Sequence, residues 1–335
     1  MQSGCDRQLP NIILTNFNVP PKYKAELEDP RWGHIVINAK ETGPKSIDFD
    51  KVDIMILVGD FVSGGGLGFS PSDATNLKLF QTLSAGVDQF DLSVVPEKAI
   101  ICSNVGAYAG PMAESVFAFI LSFAKNLPSL QEELRQGDFP RWTKRGMFLK
   151  GKTLGVIGAG GIGKATARLA RAFGMKVLGI ASRQRDIEGF DFVGTLGDLD
   201  YLLRESDIVV ISIPSTVHTR GLINRERLNI MKRNAILVNV ARGSIIVEKD
   251  LYDHLKDNPE FRAGIDVWWK YPKKDEKFQP EYPFMSLKNV LFTPHVSWNV
   301  PEVDGIALGS ALENIVRYLN GQELRGVVNR SDYRF

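Results

Sequence analysis

The chain has 335 residues, 44% of them hydrophobic and 24% charged, with a formal net charge of +2. That length predicts two domains of an ordinary globular protein, and the balanced charge gives no electrostatic case for nucleic acid or an anionic membrane as partner. The two cysteines, Cys5 and Cys102, stand far apart and outside any metal-ligand pattern, which argues against a disulfide framework and points to a reducing cytoplasm.

In chain order, the N-terminus shows no basic stretch leading into an apolar core, so no secretory signal is expected, and no hydrophobic segment precedes Cys5 to support lipid attachment. The first hundred residues alternate short apolar runs with turn signals and helical stretches. The runs at 11–15, 33–37, 54–58, 79–83 and 99–102 predict strands of a parallel sheet covered on both faces. The glycine-rich stretch 64–68 opens no helical pattern and reads as a surface loop, not a phosphate cradle. Residues 111–136 predict one long helix with Pro128 as a candidate break. The longest apolar run, 115–124, is half of what a bilayer span needs and reads as a buried helix.

From residue 151 the rhythm becomes βαβ. Strands are predicted at 153–157, 176–181, 207–213, 235–240, 262–266 and 290–292, and helices at 162–173, 197–204, 224–230 and 248–257. Alternation at this spacing predicts a doubly wound sheet with its ligand at the carboxyl ends of the strands. The segment 302–318 is helical again, with Ile306, Leu308, Leu312, Ile315, Val316 and Leu319 on its apolar face, and is expected to cross back to the first domain. The charged run 270–277 reads as a solvated loop. Of the histidines, His34, His218 and His254 have no metal-ligand spacing and His254 is expected to be solvated, so no metal site is predicted.

The most informative stretch is Leu154-Gly155-Val156-Ile157-Gly158-Ala159-Gly160-Gly161-Ile162-Gly163. An apolar strand enters G-x-G-x-x-G and a helical pattern follows at once, which is the context that marks a dinucleotide fingerprint. Gly158 permits the tight turn, Gly160 lets a pyrophosphate approach the backbone, and Gly163 lets helix and strand pack closely. Gly161 and Ile162 open the helix whose N-terminus faces the phosphates. An acid about twenty residues further on would grip the ribose of NAD. Here the second strand ends in Ala181-Ser182-Arg183-Gln184-Arg185 and the first carboxylate is Asp186. Arg183 and Arg185 can give charge-assisted bonds to a 2′-phosphate, and Ser182 a neutral one, so NADP(H) is preferred over NAD(H).

Val238-Asn239-Val240-Ala241-Arg242-Gly243 follows one strand, Gly264-Ile265-Asp266-Val267 lies in another, and Thr293-Pro294-His295 follows a third. With the fingerprint, these segments resemble the D-isomer-specific 2-hydroxyacid dehydrogenase family from about Asn76 to about Leu319. In cofactor signature the chain is most similar to the NADP-using glyoxylate/hydroxypyruvate reductases. The resemblance implies two Rossmann-like or flavodoxin-like α/β domains with doubly wound parallel sheets. The dinucleotide-binding domain, 105–298, would be inserted in a substrate domain made of 1–104 and 299–335.

The resemblance implies that Arg242 holds the substrate carboxylate and carbonyl and that His295 does the acid–base work. A guanidinium fork suits a planar carboxylate, and an imidazolium can protonate an alkoxide near neutral pH. It also implies that Asp266 contacts the nicotinamide carboxamide and that Pro214 and Val240 line the ring. Ala85, Gly86, Val87 and Asn104 would bind the substrate from the first domain. The aromatic group Tyr108, Trp268, Trp269, Tyr282 and Trp298 is expected to shape the pocket or fill core. One position departs from the family. The glutamate that pairs with the histidine, directly before a proline, is replaced by Tyr271. A phenol with an ordinary pKa of about 10 is neutral at pH 7 and orients an imidazole without stabilising its cation as an anion would. Glu276 and Glu281 are the nearby carboxylates that could substitute. The expected activity is NAD(P)H-dependent reduction of a small 2-oxo acid of the glyoxylate or hydroxypyruvate kind by a cytoplasmic homodimer. The alternative is a nicotinamide-sensing, corepressor-like binding protein with weak turnover or none.

Overall fold

The computed structural model describes residues 11–57, 68–273 and 275–333, so Cys5 and most of the glycine-rich stretch 64–68 lie outside the described residues. The chain divides into two compact units, Met1–Ala107 with Asp304–Phe335, and Tyr108–Val303.

In the first unit, β1 (Asn11–Thr15), β2 (His34–Asn38), β3 (Val52–Leu57), β4 (Leu79–Thr82) and β5 (Ile100–Cys102) form a sheet in the order β2-β1-β3-β4-β5. Every pairing is parallel. The short helices α1 (Pro21–Leu27) and α2 (Ala39–Thr42) flank its early strands. All six residues of β3 are buried, as a central parallel strand with both faces covered requires. One of them is Asp53, whose carboxylate is met by His34 Nε2 at 3.1 Å and Lys78 Nζ at 3.4 Å. His34 is thus a partner in a buried polar cluster, a role its sequence surroundings did not announce.

In the second unit, α3 (Ala109–Ala124) and α4 (Leu127–Arg135) precede β6 (Thr153–Ile157), α5 (Gly161–Ala172), β7 (Lys176–Ile180), β8 (Phe192–Gly194) and α6 (Leu199–Glu205). Then follow β9 (Ile208–Ile211), α7 (Arg225–Ile230), β10 (Ile236–Asn239), α8 (Glu248–Asp257), β11 (Arg262–Ile265) and β12 (Val290–Phe292). The sheet order is β12-β11-β10-β9-β6-β7-β8 with parallel pairings throughout. Strand order reverses on the two sides of β6, which makes the loop after β6 the switch point where such sheets take ligands. Strand residues alternate between two cores. Leu154, Val156, Ile208 and Val210 pack with α3 and α5, whereas Ile157, Val209 and Ile211 pack with α6, α7 and α8.

Three sequence expectations need correction. The single helix over 111–136 is two, α3 and α4, separated at 125–126 where Asn126 takes a left-handed φ of 53°. Pro128 does not break a helix there. It sits in the first turn of α4, where a missing N–H leaves no bond unmade. Strand β8 was not foreseen, because three residues are too short a run to show a period. His254 is half-buried against Phe261, ring centroids 4.6 Å apart, and desolvation lowers its pKa against an opposing pull from Asp257.

The final helix, α9 (Val303–Leu319), returns to the first unit, where Ala311, Leu312 and Ile315 pack on Ile13, Ile54, Ile56, Leu79 and Cys102. Its buried row runs through Ala307, Ala311 and Asn314, so Ile306, placed on the apolar face by its spacing, is 46% exposed. The buried amide of Asn314 is satisfied by Gln81 Oε1 at 2.7 Å and by the carbonyl and N–H of Arg325. The segment beyond α9 lies along β5: Ser103 N donates to Gly326 O and Val328 N to Ile101 O. Among the described residues no helix is long and apolar enough to cross a membrane.

Candidate active site

The turn after β6 has the geometry its glycines predict. Gly158 has φ 111°, and its N–H and that of Ala159 both donate to Ile180 O, at 3.1 and 2.8 Å. A Cβ on Gly158 would come within 2.7 Å of the Ser212 carbonyl oxygen, and one on Gly163 would collide with the Gly158 carbonyl oxygen. A Cβ on Gly160 would meet no atom within 4 Å; it would stand in the open space before the helix. Gly160 caps α5 without a side-chain hydrogen bond, so no side chain competes for the amides of that first turn, which runs from Gly161 and Ile162. Bare first-turn N–H groups and a helix dipole suit a pyrophosphate, and the open cradle is what close approach of one demands. At the tip of β7, Ala181 N is tied to Gly194 O, and Ser182, Arg183 and Arg185 are exposed beyond it.

The other side chains expected to do chemistry sit at the carboxyl ends of β10, β11 and β12. The Asn239 side chain closes the turn after β10, donating to Arg242 O at 2.8 Å and accepting from Ala241 N at 3.1 Å. Arg242 is extended, half-exposed, and donates from Nη1 to Ala241 O at 2.7 Å. The next residue must be small: a Cβ on Gly243 would lie 2.7 Å from Trp269 N and press into the Trp268 carbonyl. Gly243 thereby brings the turn after β10 against the segment after β11.

Asp266 follows β11 and is fully buried. Its Oδ1 accepts from Thr293 Oγ1 at 2.6 Å and from Val296 N at 2.9 Å, and its Oδ2 accepts from Ser297 N at 3.2 Å. His295 lies inside the span these bonds define, with a left-handed φ of 61°. Trp298 Nε1 donates to His295 O and Trp268 Nε1 to Thr293 O, both at 3.1 Å. The Tyr271 ring is tilted by 36° to the His295 imidazole with centroids 5.5 Å apart, and its hydroxyl accepts from Trp268 N at 3.3 Å. Of the nearby carboxylates, Glu276 accepts from Lys273 N. Glu281 stands beside Glu248, whose carboxyl is pushed up by burial and by the charge of Glu281. The bonding of Asp266 and the two indole N–H bonds were not legible in the sequence, because nothing in the spacing of Asp266, Thr293 and Trp298 says that the loops after β11 and β12 meet.

The expected aromatic group divides. Tyr108 packs edge-on against Trp298 at 6.1 Å, next to the His295 segment. Trp269 stacks on Phe284 and Tyr282 on Tyr252, and Trp268 is 6% exposed, so these three are largely core of the second unit. Val240 is buried, whereas Pro214 is exposed with its carbonyl held by Thr219 Oγ1 at 2.7 Å.

In the first unit, the loop after β4 carries Ala85, Gly86 and Val87. Thr82 Oγ1 donates to Ser84 O and Ser84 Oγ to Gly86 O, at 2.8 and 2.9 Å, and the Val87 side chain is buried in the core. The Asn104 amide donates to Leu83 O at 3.1 Å and Ala307 O at 2.7 Å, and its backbone N–H to Ser84 O. Val87 and Asn104 thus give this loop its shape from inside the unit. Among the described residues no group of three or more His, Cys, Asp and Glu could hold a metal ion.

A doubly wound sheet with a glycine fingerprint at its switch point defines the class: a dinucleotide-binding α/β protein. Residues 117–297 match the sequence model of the D-isomer specific 2-hydroxyacid dehydrogenase, NAD binding domain. The chain is 36% identical over 261 residues to a D-3-phosphoglycerate dehydrogenase of Methanocaldococcus jannaschii, a match covering 76% of this chain and 48% of that one. It therefore spans about half the length of that relative. It is 34% identical over 268 residues to a glyoxylate reductase of Thermococcus kodakarensis, covering 77% and 78% of the two chains. Among solved structures it resembles a D-isomer specific 2-hydroxyacid dehydrogenase from Xanthobacter autotrophicus Py2 in complex with NADPH and MES, with TM-score 0.73, 26% identity and coverage of 96% and 98%. The chain belongs to the D-isomer specific 2-hydroxyacid dehydrogenase family, and its second unit carries that family's NAD binding domain.

Proposed function

We propose that this chain reduces a small 2-oxo acid, of the glyoxylate or hydroxypyruvate kind, to its D-2-hydroxy acid, using NADP(H) in preference to NAD(H). The observation that carries the reading is the placing of Arg242 and of His295 at the carboxyl ends of β10 and β12, in the same sheet that holds the fingerprint after β6. The bound nicotinamide would supply a hydride to C2 of the acid. Arg242 holds the carboxylate and draws charge toward the carbonyl oxygen, and His295 gives that oxygen a proton as the C2–H bond forms. Ala85 and Gly86, on the loop after β4, are assigned to substrate binding, and the first unit is assigned the role of substrate domain. Ser182, Arg183 and Arg185 receive the 2′-phosphate, and no carboxylate stands at the tip of β7 to repel it. The solved relative that holds NADPH supports this cofactor, and the glyoxylate reductase supports the substrate class. The reading includes a homodimer built on the second unit, favoured by the side chains of Phe139, Trp142 and Phe148, which are 77%, 80% and 70% exposed.

The test is NADPH oxidation across glyoxylate, hydroxypyruvate and longer 2-oxo acids, with D-3-phosphoglycerate oxidation alongside. Arg242→Ala is expected to cost at least about 100-fold in kcat/KM and His295→Ala more than about 100-fold in kcat. Tight NADPH binding with no turnover of any acid would replace this reading with the cofactor-sensing one.

A further inference from the structure

We infer that the first unit carries a binding site for a zwitterionic α-amino acid with an apolar side chain. The site is a cavity of about 490 Å³ walled by α1, by α9 and by the segment after β5. That volume is ordinary for a small-molecule site. Its lining comes from the first unit alone and includes none of the residues assigned above to cofactor, substrate or proton transfer.

Two charges of opposite sign face this space. Arg325 Nη1 and Glu313 Oε2 stand 4.0 Å apart, at the limit of an ion pair, and both side chains are more than half exposed. Among the described residues neither side chain makes a hydrogen bond or a second ion pair. A pair so loose and so exposed contributes little to folding, and both groups keep most of their bonding capacity. Tyr23 and Ser310 line the same space, and among the described residues neither hydroxyl has a hydrogen-bond partner. Gly309 admits the phenol, since a Cβ there would lie 2.8 Å from Tyr23 Oη. A Cβ on Gly106 or on Gly305 would meet no atom within 4 Å, so bare backbone borders the cavity at both. The exposed side chains of Val105 and Ile306 supply its apolar wall.

The charges select the ligand. A simple carboxylate would bond Arg325 but bring its own charge against Glu313, and a simple amine would meet the reverse conflict. An α-amino acid satisfies both. Its carboxylate takes the guanidinium fork and its ammonium donates to Glu313, so that charges of alternating sign close a ring. The Tyr23 and Ser310 hydroxyls donate to the carboxylate, and the side chain lies on Val105 and Ile306, removing apolar surface from water on both sides.

The test is titration calorimetry of the full chain with L-valine, with 3-methylbutanoate, which is valine without its ammonium, and with isobutylamine, which is valine without its carboxylate. L-valine should bind, and each of the other two at least about tenfold more weakly, the cost of one lost charge-assisted hydrogen bond. Arg325→Met and Glu313→Gln should each weaken valine binding at least about tenfold, and Tyr23→Phe about fivefold. Their melting temperatures should match that of the unaltered chain, because the groups removed are exposed or lack a partner within the protein. Arg242→Ala should bind valine as the unaltered chain does. Valine binding lost in Arg242→Ala but kept in Arg325→Met would place the amino acid in the candidate active site and overturn the inference. Equal affinity for valine and 3-methylbutanoate would overturn it in favour of a simple anion site. Failure of L-valine, L-leucine and L-phenylalanine alike to bind would leave no amino-acid site at all. None of these readouts involves turnover, so they hold whichever acid the chain reduces.

Discussion

Tyr271 stands where the family resemblance would place a carboxylate, and its ring lies against His295. A neutral phenol orders the imidazole but lends its cation no opposite charge. If His295 is the proton donor proposed above, a carboxylate beside it would hold its protonated form to higher pH than a phenol does. Tyr271→Glu should carry the upper limb of the reduction pH profile to higher pH, measured as kcat/KM for the preferred acid. An unmoved limb would show that the phenol is not what sets the imidazole's titration. At this scale the sequence was most legible where a residue type has one use. The glycines of the fingerprint sit in the turn and close contacts their spacing demanded. It was least legible for polar side chains whose partners come from distant segments. Asp266 meets Thr293, and His34 meets Asp53, through pairings that exist only after the strands align.

Short elements and helix phases were the harder reading. The alternation of β9, Ile208 and Val210 to one core and Val209 and Ile211 to the other, is the pattern of a strand buried on both faces, so its sequence shows a solid apolar run. α9 was placed correctly along the chain, and Leu312 and Ile315 of its expected face are buried, but Ile306 is exposed. Alanines and a bonded asparagine line its inner row, and neither is conspicuous beside Ile306. The break between α3 and α4 has a tertiary cause. Arg262, at the start of β11, donates to Phe123 O and Asn126 Oδ1, both at 3.0 Å, and so fixes the end of α3. The junction of β6 and α5 is the element to which the proposed function assigns the cofactor pyrophosphate. Gly163→Ala would drive a methyl into the Gly158 carbonyl and to within 2.9 Å of Val156 Cγ1. The helix must then back away from the strand, and NADPH affinity should fall by at least about tenfold. Gly160→Ala, whose methyl meets nothing in the protein, should instead keep the melting temperature and lose affinity only through the space it fills. Calorimetric melting paired with cofactor titration separates the two.

For the molecule as a whole, the first unit is closed by residues that come after the second. Arg330 donates to four carbonyls, those of Leu92 and Val95 from Nη1 and of Pro96 and Ala99 from Nη2, at 2.7 to 3.0 Å. One guanidinium thus holds the segment that leads into β5. Arg330→Met would leave those carbonyls without their cation and should cost about 3 kcal/mol of the first unit's stability. Scanning calorimetry should show the lower melting temperature while NADPH binding by the second unit is unchanged. The two-unit plan was legible from the fingerprint's position in mid-chain. The joining of the last segment to β5 was not, since a three-residue strand and a single bridge, Cys102 with Val327, leave no periodic trace.

On the ribosome that arrangement sets an order of events. The sheet of the first unit is synthesised early, but the face formed by Ile13, Ile54, Ile56 and Leu79 gains its cover of Ala311, Leu312 and Ile315 only after the whole of 108–303 has emerged. The second unit is continuous and can fold while translation proceeds. Its partner must wait with an apolar sheet face open to water, and that interval is when nascent chains of this protein are most exposed to chaperone capture or aggregation.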